Sequence, residues 1–212
     1  MKENTMKLQV AMDVLTTEAA LTLAGQVAEY VDIIELGTPL IKHEGLSAVR
    51  AIKNAHPDKL VFADLKTMDA GELEADIAFS AGADYVSVLG AAGDSTIIGA
   101  VKAAKAHKKG IVVDLIGVAD KVARAKEVTA FGATFVEMHA GLDEQAEPGF
   151  TFQTLLNDGE TARVPFSVAG GINSSTIALV QRSGATVAVA GGSIYGASDP
   201  AAAAAELRAA IV

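Results

Sequence analysis

The run Val61-Phe62-Ala63-Asp64-Leu65-Lys66-Thr67-Met68-Asp69 begins apolar and ends in three charges. In a strand, residues two apart face the same way, so Asp64 and Lys66 are expected to point together to one side. Asp69 follows where the chain turns toward a helix. A buried carboxylate and a buried ammonium are costly unless they are paired. Taken alone, the stretch reads either as a salt bridge tying a strand end to its neighbours or as a reactive pair. Asp13, Glu35, Asp114 and His139 tip that balance, because each also closes an apolar run. Clustered titratable groups at strand ends mark a site.

The elements that must position these residues alternate from end to end. Expected strands are Leu8–Met12, Asp32–Leu36, Leu60–Leu65, Tyr85–Leu89, Gly110–Leu115, Thr134–Met138, Val164–Ala169 and Thr186–Ala190. The helices expected between and after them begin near Thr17, Leu46, Gly71, Ser95, Lys121, Phe152, Ser174 and Pro200. Thr16 or Thr17 suits the first helix as a cap, and Asp199 with Pro200 opens the last. A longer loop is expected over Gly141 to Gly149. The strands are continuous apolar runs, as in strands covered on both faces. Eight such units predict a single-domain α/β fold, the (β/α)8 TIM barrel, with residues 1–6 as a short N-terminal extension. A doubly wound sheet is the alternative, but it favours a glycine-rich first turn, and Asp13-Val14-Leu15-Thr16 has no glycine.

Composition narrows the function classes. In 212 residues, half are apolar and 20% are charged, which excludes a disordered chain. A net charge of −9 offers no basic stripe for nucleic acid or for an anionic membrane. There is no cysteine, so thiol chemistry and cysteine-ligated metals are excluded. No signal peptide or membrane-spanning run is evident, and a cytoplasmic protein is expected.

In a barrel, strand C-termini form the mouth where active sites are built. Val168-Ala169-Gly170-Gly171 and Val189-Ala190-Gly191-Gly192 repeat one tetrapeptide on the last two strands. Glycines bare the backbone amides, and Ser193 is placed to open a short helix, both of which attract phosphate. Glu35 and Asp64, on adjacent strands, supply hard oxygen ligands that suit Mg²⁺, with Mn²⁺ as a substitute. Neither cysteine nor an HExxH pattern supports zinc. Lys66 is a possible Schiff-base former, but Asp64 and Asp69 nearby should keep it protonated. It reads better as a fixed positive charge beside a developing oxyanion. His139 suits proton transfer near neutral pH. His43, His56 and His107 read as solvated, and Met12, Met68 and Met138 as packing.

The Asp64-x-Lys66-x-x-Asp69 pattern resembles the signature of the orotidine 5′-monophosphate decarboxylase suprafamily. With Glu137-Met138-His139-Ala140-Gly141-Leu142-Asp143, the chain from Lys7 to Ile211 is more closely similar to the 3-hexulose-6-phosphate synthase family. The resemblance implies a Mg²⁺-dependent aldolase joining formaldehyde to D-ribulose 5-phosphate. It implies Glu35 and Asp64 as metal ligands, Asp13 and Asp114 as substrate contacts, and Lys66 as the signature cation. His139 becomes the proton-transfer group, and Gly170, Gly171, Gly191 and Gly192 the phosphate loops. Asp69 is implied to reach into the partner's site of a homodimer. Orotidine phosphate decarboxylases carry lysine where this chain has Glu35. The sister 3-keto-L-gulonate-6-phosphate decarboxylases typically carry Glu, Arg, Thr and Arg at Asp114, Leu142, Ala169 and Gly192. All four departures point to the synthase branch. A phosphate-binding barrel without catalysis is the reading of another class, and the intact set of acid–base groups weighs against it.

Overall fold

A computed structural model describes residues 6–212 of the chain. In chain order, β1 is Lys7–Met12, α1 Thr17–Val27, β2 Ile33–Leu36, α2 Thr38–Glu44, α3 Ser47–Ala55, β3 Leu60–Thr67, α4 Gly71–Ser80, β4 Tyr85–Leu89, α5 Asp94–His107 and β5 Gly110–Asp114. There follow α6 Lys121–Phe131, β6 Phe135–His139, α7 Leu142–Gln145, α8 Phe152–Ala162, β7 Phe166–Ala169, α9 Ile177–Arg182, β8 Val187–Ala190, α10 Gly192–Tyr195 and α11 Pro200–Ala209. The strands pair in parallel in sequence order, and β1 closes on β8, giving the (β/α)8 barrel. Of the expected extension, residues 1–5 lie outside the described residues. Met6 belongs to the core, only 4% exposed.

Two apolar layers hold the barrel. Leu8, Val10, Ile34, Val61, Val86, Val113 and their neighbours face the helices, where Leu23, Ile52, Phe79 and Ile97 cover them. Ile33, Phe62, Val112, Phe135, Val187 and Val189 fill the inside. The two sets alternate along each strand, so both strand faces are buried. On β2, β3, β5 and β6 the next inward residue after Ile33, Phe62, Val112 and Phe135 is in each case a carboxylate: Glu35, Asp64, Asp114 and Glu137.

Local chemistry sets the helix starts. The Thr16 hydroxyl accepts from Ala19 N at 3.2 Å, and Asp199 accepts from Ala202 N at 3.0 Å ahead of Pro200. Three elements differ from expectation. Helix α2 was not expected, although Gly37-Thr38-Pro39 places proline in its first turn, where a missing N–H costs nothing. Helix α7 shortens the expected loop. Helix α9 begins at Ile177 rather than Ser174, because Asn173 and Thr176 tie the preceding segment into side-chain turns. Asn173 Oδ1 accepts from Ser175 N and Thr176 Oγ1 from Asn173 N, both at 2.9 Å. Met12 and Met138 are fully buried as expected, whereas Met68 is 55% exposed.

The end of the barrel away from the mouth is locked by Asp84. Its carboxylate accepts from Val61 N at 2.9 Å, from Lys53 Nζ at 2.8 Å and from Lys109 Nζ. Burial would raise this carboxyl, but Lys109, Lys53 and the Val61 amide outweigh it and hold the pKa below the ordinary value. A depressed folded-state pKa contributes stability above the unfolded value, and that contribution is lost as pH falls through the folded one. Asp84→Ala is expected to cost about 2–3 kcal/mol at neutral pH, because two lysines lose their partner. Urea midpoints for the two proteins should converge in acid, below about pH 4. Midpoints equally far apart at pH 3 and pH 7 would mean that the carboxylate charge is not what stabilises this end.

Candidate active site

The mouth is assembled by β3. Its register against β4 shifts between Ala63, paired with Val86, and Thr67, paired with Val88. Three residues, Asp64 to Lys66, therefore face Ser87 alone, as in an extended β-bulge. Within this bulge Lys66 is left-handed, with φ 46°. Such backbone costs a non-glycine residue of order 1–2 kcal/mol and gathers at functional sites. Simple alternation does not explain why Asp64 and Lys66 meet; the bulge re-aims the lysine. Ser87 completes the bulge, its hydroxyl accepting from Lys66 N at 2.9 Å and donating to Asp64 Oδ1 at 2.7 Å. From α2, Thr38 Oγ1 donates to Asp64 Oδ2 at 2.6 Å.

Lys66 Nζ then bridges two strands, 3.0 Å from Asp64 Oδ2 and 2.8 Å from Asp114 Oδ2. His139 Nδ1 lies 3.0 Å from the same Asp114 oxygen and 3.5 Å from Glu137 Oε1. A carboxylate only accepts, so Nδ1 carries the proton and Nε2 is the reactive nitrogen. Asp114 is engaged on both oxygens, since Oδ1 accepts from Ile116 N at 2.9 Å. Ser167 Oγ donates to Glu137 Oε2 at 3.2 Å. Asp13 stands at the rim, where Gly37 makes room for it: a Cβ there would lie 2.1 Å from Asp13 Oδ1.

The electrostatics are those of a site short of positive charge. Glu35, Asp64, Asp114 and Glu137 are all buried, facing Lys66 and His139. Burial would lower Lys66, but Asp64, Asp114 and Glu137 raise it well above the usual lysine value, so it is an ammonium throughout. Burial would raise Asp114, yet His139 and Lys66 hold it far below the carboxylate range. The deficit falls on the remaining acids. Burial, with Asp64 and Glu137 adding to it, lifts Glu35 well above its ordinary value; burial and Asp114 push Glu137 up to about 7. Asp13 is raised by burial and by Asp64.

A divalent cation fits this donor set. Asp114, Glu137 and His139 offer ligand atoms within 4.8 Å of one another, but Asp114 is already shared by Lys66 and His139. Glu35 carries a single hydrogen bond among the described residues, from Gln9 Nε2 at 2.7 Å, and its carboxyl is raised by burial and by Asp64 and Glu137. The set is rich in carboxylate oxygens and contains no cysteine.

The two glycine pairs lie at the ends of β7 and β8. Gly170 and Gly171 are left-handed, with φ 102° and 72°, and a Cβ on Gly170 would lie 2.5 Å from Ala140 O. Gly191 precedes the short α10 that Gly192 opens, and among the described residues the nearest contact of a Cβ built on either, chain neighbours aside, is Tyr195 at 3.5 Å and 3.8 Å. This leaves an open, glycine-lined rim at the ends of β7 and β8, beside His139 on β6. Asp69 stands apart, exposed beyond the end of β3, and no hydrogen bond among the described residues joins it to the cluster.

Residues 6–207 match the sequence model described as the orotidine 5′-phosphate decarboxylase / HUMPS family. The chain belongs to this family. Within it, the chain is 75% identical over 206 residues to the 3-hexulose-6-phosphate synthase of Mycobacterium gastri, covering 97% of this chain and all of that one. A crystal structure of 3-hexulose-6-phosphate synthase superposes with a TM-score of 0.97 at 75% identity, over 98% of this chain and 100% of that one. The 3-keto-L-gulonate-6-phosphate decarboxylase of Vibrio cholerae superposes with a TM-score of 0.86 at 31% identity, over 97% of each chain. The chain is an enzyme of the synthase branch. No described helix is long and apolar enough to cross a membrane.

Ser87, Thr38 and Gln9 carry no sequence signal of their own, and Glu137 stands in the motif around His139 without a role assigned to it. Glu137 lies two residues before His139 and so shares its face of β6, a signal present but hidden behind the histidine. Ser87 and Thr38 gain their meaning only from the bulge and from α2.

Proposed function

We propose that the enzyme catalyses the reversible aldol condensation of formaldehyde with D-ribulose 5-phosphate to D-arabino-3-hexulose 6-phosphate. The observation that carries this reading is the bridged constellation Asp64–Lys66–Asp114–His139 beside a glycine-lined rim, in a chain so similar to proteins named for that synthesis. The glycine pairs Gly170-Gly171 and Gly191-Gly192 take the phosphate, with Asp13 and Asp114 on the sugar side. His139 Nε2 takes a proton from C1 of the ketose, and the electron pair left behind spreads onto the C2 oxygen as an enediolate. Lys66 lends that oxygen a fixed positive charge. C1 then attacks the formaldehyde carbon, and its carbonyl electrons become an alkoxide that takes up a proton. A divalent cation, Mg²⁺ with Mn²⁺ as a substitute, held by Glu35 and Asp64, would supply Lewis-acid stabilisation to the enediolate oxygens.

The barrel acts as one catalytic domain, and we place it in the cytoplasm. A homodimer is part of the same reading. Met68, Leu73, Ile77 and Ile98 are apolar yet between 47% and 64% exposed on and beside α4 and α5, next to Asp69. Such a patch calls for a partner surface; in the homodimer Asp69 reaches the partner's site. The sister decarboxylation is disfavoured because Leu142 and Gly192, where those enzymes carry arginine, place no cation at the rim.

The deciding assay is formaldehyde consumption by the purified protein with ribulose 5-phosphate and Mg²⁺, run beside decarboxylation of 3-keto-L-gulonate 6-phosphate. Formaldehyde loss far exceeding decarboxylation is expected. Efficient decarboxylation without formaldehyde loss would move the chain to the sister activity.

A further inference from the structure

Gln9 is a polar side chain in a place that packing would fill with an apolar one. It is fully buried, and its register partners, Ile33 on β2 and Val189 on β8, belong to the apolar cluster inside the barrel. Burying an amide is costly unless its donors and acceptors are used. Its Nε2 is used, donating to Glu35 Oε2 at 2.7 Å. Its Oε1 has no partner among the described residues. A half-satisfied amide does less for stability than an apolar side chain of similar shape. Barrel stability therefore does not account for Gln9, and its one bond points to Glu35.

We propose that Gln9 is a positioning residue for Glu35: its amide pins one carboxylate oxygen from below and leaves the other free to ligate a divalent cation. The inference rests on the reading of Glu35 as a cation ligand. Ligand carboxylates depend on the groups that hold them, and loss of such a partner costs about 10–100-fold in metal affinity. Gln9→Met keeps the length of the side chain and removes both the donor and the orphaned acceptor. The relieved acceptor offsets part of what is lost when Glu35 is left without its hydrogen bond, so the metal-free fold should hold with a modest fall in Tm. A structural role and a positioning role thus separate in two measurements.

The experiment titrates Mn²⁺ into the purified full chain, reading free Mn²⁺ by electron paramagnetic resonance, for wild type, Gln9→Met and Glu35→Gln. Tm is measured in parallel in EDTA. Gln9→Met is expected to bind Mn²⁺ about 10–100-fold more weakly, with Tm within about 8 °C of wild type. Should Gln9→Met fold poorly, Gln9→Leu carries the same two readouts. Wild-type Mn²⁺ affinity in the folded variant overturns the proposal, and so does a larger fall in Tm in both variants, which would make the amide structural. Glu35→Gln tells the two failures apart. If Glu35→Gln loses Mn²⁺ binding while Gln9→Met keeps it, only the role of Gln9 falls. If Glu35→Gln binds as wild type, the cation site itself is misplaced, and the inference falls with it.

Discussion

Replacing His139 with alanine is expected to lower kcat by about 10²–10⁴-fold, with KM for the sugar phosphate close to wild type. The ring sits at the end of β6 with Nδ1 held by Asp114, so Nε2 is the only nitrogen left to exchange a proton with substrate. The proposed phosphate rim is on other strands, β7 and β8, which is why the effect should fall on kcat. Among the described residues, four charged groups face the ring: Asp114 from β5, Glu137 from β6, Lys66 from β3 and Asp13 after β1. Burial disfavours the imidazolium, but Asp114 and Glu137 outweigh burial and Lys66, and the ring keeps its proton above the usual histidine value. In the proposed mechanism the neutral ring is the acceptor of the substrate proton. Activity should therefore rise with pH through that elevated value, not fall. Asp114→Asn removes the charge that holds the proton on, and the acid limb of kcat/KM should move to lower pH. Near-wild-type turnover in His139→Ala would remove the ring from the mechanism, and an unmoved limb in Asp114→Asn would assign the limb to another group.

Why some of this site could be read from sequence and some could not follows from which facts are local. Glu35, Asp64 and Asp114 announce themselves because a charge on an apolar run is expensive, and a run of that length is a strand. The barrel follows from repetition of such runs with helices between them. Gln9 gave no comparable signal. An amide within a strand is ordinary until closure of β1 on β8 buries it between Ile33 and Val189. Lys66 is the sharper case. Its pairing with Asp64 was expected from two-residue alternation, and the pair is present, but the geometry comes from a three-residue bulge opposite Ser87. No glycine or proline marks that bulge in the sequence. It exists because the ammonium gains two carboxylates that a regular strand would not offer it together, a long-range cause that local propensity does not carry.

The same bulge determines what Lys66 is able to do, and chelation tests it. EDTA is expected to abolish turnover, and borohydride added with ribulose 5-phosphate should leave Lys66 unmodified. A Schiff-base enzyme would give the opposite pair of results, because its lysine must be free to lose a proton and attack a carbonyl. Here the ammonium lies 3.0 Å from Asp64 and 2.8 Å from Asp114, and those carboxylates, with Glu137, hold its pKa far above the ordinary lysine value despite burial. The free amine is thus nearly absent at any working pH. Lys66→Met should cut kcat by about 10²–10³-fold, the scale of losing one group that stabilises a developing oxyanion. It should also cost about 2–4 kcal/mol of stability in the metal-free protein, since two buried carboxylates lose their shared partner. Added Mg²⁺ should recover part of that stability but not the turnover. A cation can restore charge balance around Glu35 and Asp64, whereas the positive charge that the bulge aims between Asp64 and Asp114 belongs to Lys66 alone. A borohydride adduct on Lys66, with turnover surviving EDTA, would instead make the lysine the nucleophile and the carboxylates its proton acceptors.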